Sequence, residues 1–273
     1  MTRTLVITAD DFGRDPGTTD TILALLDDGA ITATTLIAVA DNAERAAEGA
    51  IARGTSPHLH GTLTRDRGAV WHPLSGRSSL MDADGLLFDD PAAFDATATT
   101  DDAFAELDAQ LAWMRARGLD PAAVDSHAGT LYGLNGRSWL ADALRWCAAN
   151  ELAFRLPRDA RAYFGDALPA PLAHAHARAV AYADRLGVSL PHAILTNHAD
   201  ADELGDYEAL RDSLIERLAE LPEGASELFL HPSAPGAVPG PAGVAREWEA
   251  RLLRDDRWHA AIEREGIHLV AAW

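Results

Sequence analysis

The chain has 273 residues, 48% hydrophobic and 24% charged, so it can bury a full core and is not a disordered polymer. Its 23 basic residues against 42 acidic ones leave a net charge of −19, which argues against nucleic acid and anionic membranes as partners and mildly against a highly anionic substrate. Every basic residue is Arg, so Schiff-base chemistry, pyridoxal phosphate attachment and a Walker lysine are excluded. The single cysteine, Cys147, excludes an internal disulfide and a thiolate zinc site. Catalysis is left to Asp, Glu, His, Arg, Ser, Thr and Tyr, with or without a metal.

The N-terminus reaches acidic residues at once, without the long apolar region and cleavage site of a signal peptide. No stretch approaches the roughly 18 apolar residues of a membrane span. A cytoplasmic protein is expected.

In chain order, Leu5–Ile7 reads as a buried strand ending at Asp10. Ile22, Leu25 and Leu26 mark a helix stopped by Gly29. Thr34–Val39 is a second strand, Ala43–Arg53 a helix, and Leu59–Leu63 a third strand. Periodicity is then lost over residues 65–100, a long loop of the kind that usually serves function. Phe104, Leu107, Leu111 and Met114 restore it as an amphipathic helix. Further strands are expected at Ala123–Asp125, Leu152–Leu156, Ala193–Leu195, Glu227–Leu230 and Ile267–Ala271. Helices are expected at Ser138–Ala149, Pro171–Leu186, Tyr207–Leu218 and Arg246–Glu263. Seven to eight β/α units with no linker predict one domain over residues 1–273, a TIM-like (β/α) barrel of parallel strands, whole or incomplete. An open doubly wound sheet is the alternative, and the lack of GxGxxG or GxxxxGK[ST] after the first strand weakens its nucleotide-binding form.

In βα folds chemistry sits where strands end. Here those ends carry Asp10-Asp11, His60, Asp125-Ser126-His127, Arg155, Asn197-His198 and His231-Pro232. Taken singly, each has a plain structural reading: an Asp after a strand caps the next helix as often as not, and a lone His is more often a packed residue than a ligand. Coincidence changes the balance. Asp11, His60 and His127 converge as one carboxylate and two imidazoles, a set that suits zinc or a harder transition ion with open positions. On extended chain Asp10 and Asp11 point apart, so one can bind a metal while the other takes a proton. Asp82-Ala83-Asp84-Gly85 lacks the later ligands of a calcium loop and reads as a turn.

These residues resemble the YdjC-like (ChbG-type) carbohydrate deacetylases. Thr8-Ala9-Asp10-Asp11-Phe12-Gly13 is similar to the family's N-A-D-D-F-G opening, and His60-Gly61-Thr62-Leu63-Thr64 to its H-L-T-L-T strand. Ser79–Gly85 resembles S-L-x-D-x-D-G, Val124–His127 matches V-D-S-H, Arg155–Arg158 resembles R-x-P-R, and Glu227–Pro232 matches E-x-x-x-H-P. Departures stand at Gly61 in place of Leu, at Ala128-Gly129 where the family often has D-S-H-x-H, and at Asn197-His198 in place of D-H. The text D-S-H-x-G-T-L resembles a distinct branch.

The resemblance implies a barrel-like fold and metal-dependent removal of N-acetyl groups from sugars. It implies Asp11, His60 and His127 as ligands of one divalent ion, Zn2+ or Mg2+. It implies Asp10 as general base, His231 as general acid and Arg155 as the partner of Asp10. Trp71 is expected to stack on a sugar ring under a closing loop, and His198 to contact substrate. The expected partner is a small acetylated carbohydrate, with no nucleic acid and no membrane, and a homodimer is an allowed assembly. Two other readings stay open: a metal-free glycoside hydrolase on the same barrel, which needs two suitably spaced carboxylates, and a non-catalytic sugar- or metal-binding protein.

Overall fold

A computed structural model describes residues 2–133, 136–164 and 168–273. In order the elements are β1 (Arg3–Phe12), α1 (Pro16–Asp27), β2 (Ala33–Leu36), α2 (Ala43–Ala52), β3 (His58–Gly61), α3 (Pro91–Thr97), α4 (Thr100–Ala116), β4 (Ala123–Ser126), α5 (Leu140–Asn150) and β5 (Ala153–Phe154). There follow α6 (Arg161–Phe164), α7 (Ala170–Leu186), β6 (Ile194–Leu195), α8 (Ala201–Leu204), α9 (Tyr207–Arg217), β7 (Gly224–Leu230), α10 (Gly240–Leu252), α11 (Asp256–Arg264) and β8 (His268–Leu269). Parallel strands lie in the order β5-β4-β3-β2-β1-β7-β6. The short β8 pairs with β1 at Thr4 and Leu5, below the point where β2 joins the same edge at Thr8.

The sheet curls into an incomplete (β/α) barrel, as the sequence predicts. Between β5 and β6 no ladder forms among the described residues. There the amides of Phe154, Arg158 and Asp159 instead donate to the carbonyls of Ser189, Pro191 and His192 at 3.0, 2.9 and 2.8 Å. No helix among the described residues is long and apolar enough to cross a membrane.

Strand alternation divides the molecule into two interiors. Leu5, Ile7 and Ala9 of β1, Leu59 of β3, Val124 of β4 and Leu228 and Leu230 of β7 face outward into the apolar layer beneath the helices. Each large side chain fully buried there contributes about 1.5–3 kcal/mol. The alternate residues face the barrel axis and are polar: Thr8, Asp10, Thr35, His58, His60, Asp125 and Glu227, all buried. Apart from Val6 and from His58, which burial keeps neutral with a pKa lowered to about 4, the axis is filled by a hydrogen-bonded charge network rather than by the branched aliphatic layers usual in such barrels.

Local signals explain most helix ends. Asp15 accepts from the Thr18 amide at 2.8 Å and Pro16 opens α1. The expected single helix over Arg246–Glu263 is two, because Asp255 caps a new start by accepting from the Arg257 amide at 2.7 Å. The expected loop over residues 65–100 also holds structure. It contains a 3₁₀ turn at Ser78–Leu80, the helix α3 begun by Asp90 and Pro91, and a Met81–Leu87 bridge. Buried Glu106 of α4 ties the loop down, accepting from the amides of Leu74 and Ser75 at 3.1 and 2.7 Å.

Candidate metal and catalytic site

β1 ends in a bulge. Its register against β2 shifts between Ala9 and Phe12, and Asp11 adopts a left-handed φ of 69°. Such a backbone costs on the order of 1 kcal/mol or more, although Asp tolerates it better than most residues. It points the two neighbouring carboxylates to different partners, Asp10 to Arg155 and Asp11 to His60 and Arg246. Asp11 Oδ1 lies 3.3 Å from His60 Nε2 and 3.7 Å from His127 Nδ1, and the two imidazole nitrogens are 3.2 Å apart. The three donor atoms thus face one point, and all three residues are buried.

Each of the three is held from behind. The Nδ1 of His60 meets both oxygens of Asp125, at 2.7 and 2.8 Å, and the β3–β4 register sets these residues side by side. The Nε2 of His127 meets Asp66 at 3.1 Å, and Arg246 Nη1 donates to Asp11 Oδ2 at 2.6 Å. Carboxylates behind imidazoles fix the tautomer and aim the free nitrogen, an arrangement common around protein-bound metals. Burial opposes ionisation of Asp11, but Arg246 and the two imidazoles hold its carboxyl well below the usual range. Asp66, though partly buried, is held down at about 2 by its contact with His127. The donor set of one carboxylate and two neutral-capable imidazoles with open positions fits zinc or a similar divalent ion.

Beside this trio, Asp10 accepts from Arg155 Nη1 on Oδ2 at 2.6 Å and from Nη2 on Oδ1 at 2.9 Å, while Thr35 donates to Oδ1 at 2.8 Å. The same guanidinium also holds Asp125, and Glu227 at 2.8 and 3.0 Å. One Arg thus gathers three buried carboxylates, which could not otherwise stay charged in that setting. Burial pushes Glu227 up to about 7 against the pull of Arg155 and of the Thr8 hydroxyl. A carboxylate has about four lone-pair sites. The contacts above leave Asp10 one, on Oδ2, the oxygen 3.9 Å from His231 Nε2. His231 is part-exposed, and its amide donates to Glu249 of α10 at 2.7 Å.

Asp10, Asp11, His60, His127, Arg155 and His231 therefore meet at one end of the barrel. Two expected contributors lie differently. Trp71 is only 2% exposed and meets the His127 ring edge-on with centroids 5.5 Å apart, so it packs that imidazole rather than offering a face. His198 is exposed, but its Nε2 is committed to the Tyr163 carbonyl at 3.2 Å. Sequence reasoning assigned no role to Asp66, Asp125, Glu227, Arg246 or Glu249. Asp125 and Glu227 were within reach, because they occupy inward positions of strands whose ends already carried site residues.

The sequence profile of the YdjC-like protein family matches residues 4–264. The chain belongs to the YdjC-like family. Among solved structures it is similar to a candidate cellobiose-phosphate cleavage protein from Enterococcus faecalis V583, at 24% identity and TM-score 0.76, covering 99% of this chain and 97% of that one. It is also similar to an uncharacterized protein from Agrobacterium tumefaciens C58, at 14% identity and TM-score 0.51, over 98% of this chain and 87% of the other. At these identities the likeness concerns the fold. No curated protein matches.

The departures of this YdjC-like chain have local causes. A Cβ at Gly61 would lie 2.9 Å from the Asp125 carbonyl oxygen and 3.2 Å from Leu107, so the close β3–β4 approach excludes the larger residue. Ala128 and Gly129 both take left-handed backbone, at φ 50° and 68°, turning the chain directly after His127. Asn197 donates to Glu249 at 2.9 Å and accepts from the Ala199 amide at 3.0 Å, a pairing an Asp could not reproduce against a carboxylate.

Proposed function

We propose that this chain is a metal-dependent carbohydrate N-deacetylase acting on a small acetylated sugar. The observation that carries the reading is the convergence of Asp11, His60 and His127, each held from behind, beside an Asp10–Arg155 pair that leaves one carboxylate lone pair free. A divalent ion held by the trio supplies Lewis acidity, acidifying a water and polarising the acetyl carbonyl.

The chain's own groups do the rest. The attacking water gives its proton to Asp10 Oδ2, the acceptor site left open by Arg155 and Thr35. Arg155 keeps Asp10 oriented and compensates its charge. His231 donates a proton to the sugar nitrogen as the C–N bond breaks, releasing acetate and the free amine. Such a proton transfer contributes about 10²- to 10⁴-fold.

A glycoside hydrolase needs one carboxylic acid free to reach the glycosidic oxygen. Glu227 has the raised pKa such an acid needs, but it is fully buried with both oxygens held by Arg155 and Thr8. Asp10 and Asp125 are held by the same guanidinium. The deacetylase reading is therefore preferred.

The test is acetate release from a panel of N- and O-acetylated sugars by chelated protein resupplied with Zn2+ or Mg2+. It is paired with elemental analysis of wild type and His127→Ala. Activity that ignores the metal, or full metal content in His127→Ala, defeats the proposal.

A further inference from the structure

In amide hydrolysis the nitrogen that receives the last proton carries the remainder of the substrate. The proton donor therefore marks the side on which the sugar lies, and the acetyl half lies toward Asp11, His60 and His127. On the His231 side the barrel wall is aromatic. Glu227, Phe229 and His231 share the inward face of β7 and its exit, and Phe229 is half-buried. Its ring meets His231 edge-on at 5.7 Å between centroids. Tyr163 of α6 stacks on Phe229 at 6.3 Å with planes 30° apart, and His198 abuts Tyr163 at 4.6 Å. Phe164, 44% exposed, continues the row at 4.7 Å from Tyr163. Burial pushes the Tyr163 phenol up.

Phe229 has the Arg155 guanidinium over its ring at 4.7 Å and Tyr163 stacked on it, so it backs the row rather than facing a ligand. We propose that Tyr163, with Phe164 at the rim, makes the sugar-ring subsite, the two rings supported by Phe229. They take the C–H face of a neutral pyranose while His231 reaches its amide nitrogen. The placement rests on the deacetylase reading, which is what puts the leaving group beside His231. A pyranose combines one apolar face of axial C–H groups with a rim of hydroxyls. The row offers apolar ring surface with the exposed His198 beside it, and the chain's net charge of −19 favours a neutral ligand over an anionic one. Trp71 cannot serve, being buried on the acyl side.

Saturation-transfer NMR with glucosamine, the amine that deacetylation of a simple substrate leaves, tests this on zinc-loaded and on chelated protein. The axial H1, H3 and H5 of the β-pyranose are expected to receive most of the saturation. Tyr163→Phe should preserve the pattern. Tyr163→Leu, which keeps apolar bulk but removes the ring, should lose it. The latter should also raise KM for the acetylated sugar roughly three- to tenfold, the scale of one aromatic contact, with kcat changed less than about twofold. Wild-type contact and KM in Tyr163→Leu would overturn the subsite, as would an equal loss in Tyr163→Phe, which would assign the contact to the hydroxyl. Sugar contact that depends on Tyr163 in a protein releasing no acetate would support the subsite and defeat the hydrolase reading. Acetate release with a KM blind to Tyr163→Leu would do the reverse.

Discussion

Loading a divalent ion onto Asp11, His60 and His127 should expel a proton, and the hydrogen-bond geometry says where that proton sits. His60 faces acceptors on both ring nitrogens: Asp125 at 2.7 Å on Nδ1, and Asp11 at 3.3 Å on Nε2. An imidazolium satisfies both. His127 faces Asp66 through Nε2 and His60 through Nδ1, and the 3.2 Å nitrogen–nitrogen contact has room for one hydrogen. The metal-free trio therefore holds its extra proton chiefly on His60, although Asp11 and Asp66 raise the His127 pKa too, against the effect of burial. Burial disfavours that charge, but Asp125, Asp11 and Asp10 outweigh it and push the His60 pKa up to about 10. At pH 7, roughly three pH units lower, displacing the proton costs about 4 kcal/mol, or about a thousandfold in apparent metal affinity. Zinc affinity should thus rise about tenfold per pH unit from about pH 6.5 to 8.5.

Chelator-buffered zinc titrations measure the slope, and calorimetry in buffers of different ionisation heat counts the protons. A pH-independent affinity, or no proton released per ion, refutes the assignment. Asp125→Asn sharpens the test. It removes the charge that holds the His60 proton, so fewer protons are released per ion than in the wild type. It also removes the carboxylate behind a ligand, which costs about 10- to 100-fold in affinity. The two effects oppose each other near pH 7 and part company as the pH rises, so the variant's deficit should widen toward pH 8.5. By the same linkage, the raised His60 stabilises the metal-free fold fully below about pH 6.5, and that contribution is lost as pH rises through about 10.

Asp10→Asn should retain full metal content and lose about 10²- to 10⁴-fold in kcat, since an amide cannot take the proton; elemental analysis and acetate release check both halves, and near-normal turnover would reduce Asp10 to a structural role. His231→Ala should damage N-deacetylation far more than hydrolysis of an activated acetyl ester, because an amine leaves only when protonated; equal losses in kcat/KM on both would move the acid role elsewhere. Asn197→Asp sets a carboxylate against buried Glu249 and should destabilise the fold by roughly 1–3 kcal/mol in denaturant titrations. Adding Glu249→Gln restores a donor–acceptor pair and should recover part of that loss, and purely additive costs would show that the contact does not set the exits of β6 and β7.

What the sequence discloses and what it hides divide along one physical line. Residues on strands are fixed by the period of two: once Leu5, Ile7 and Ala9 face the helices, Asp10 must face the axis, and the same alternation delivers His60, Asp125 and Glu227. The bulge at Asp11 was legible only as a doubled carboxylate, because its left-handed backbone depends on packing that no local pattern announces. Asp66, Arg246 and Glu249 were illegible for a different reason. Asp66 reaches His127 from a loop, and Arg246 and Glu249 reach Asp11 and His231 from a helix, each far from its partner in sequence. An acid or an Arg there looks like any solvated charge, and this chain has 65 charged Asp, Glu, Lys and Arg positions in which to hide them. Trp71 shows the converse error: an aromatic in a Gly- and Pro-rich loop reads as a platform for sugar, yet Glu106 ties that loop down and the ring packs against His127. Supporting residues need only charge and reach, so other positions near the barrel mouth could supply the same contacts. The strand-borne Asp, His and Arg have no such freedom, and in related chains they should hold their register while the carboxylate behind His127 and the cation behind Asp11 move between segments.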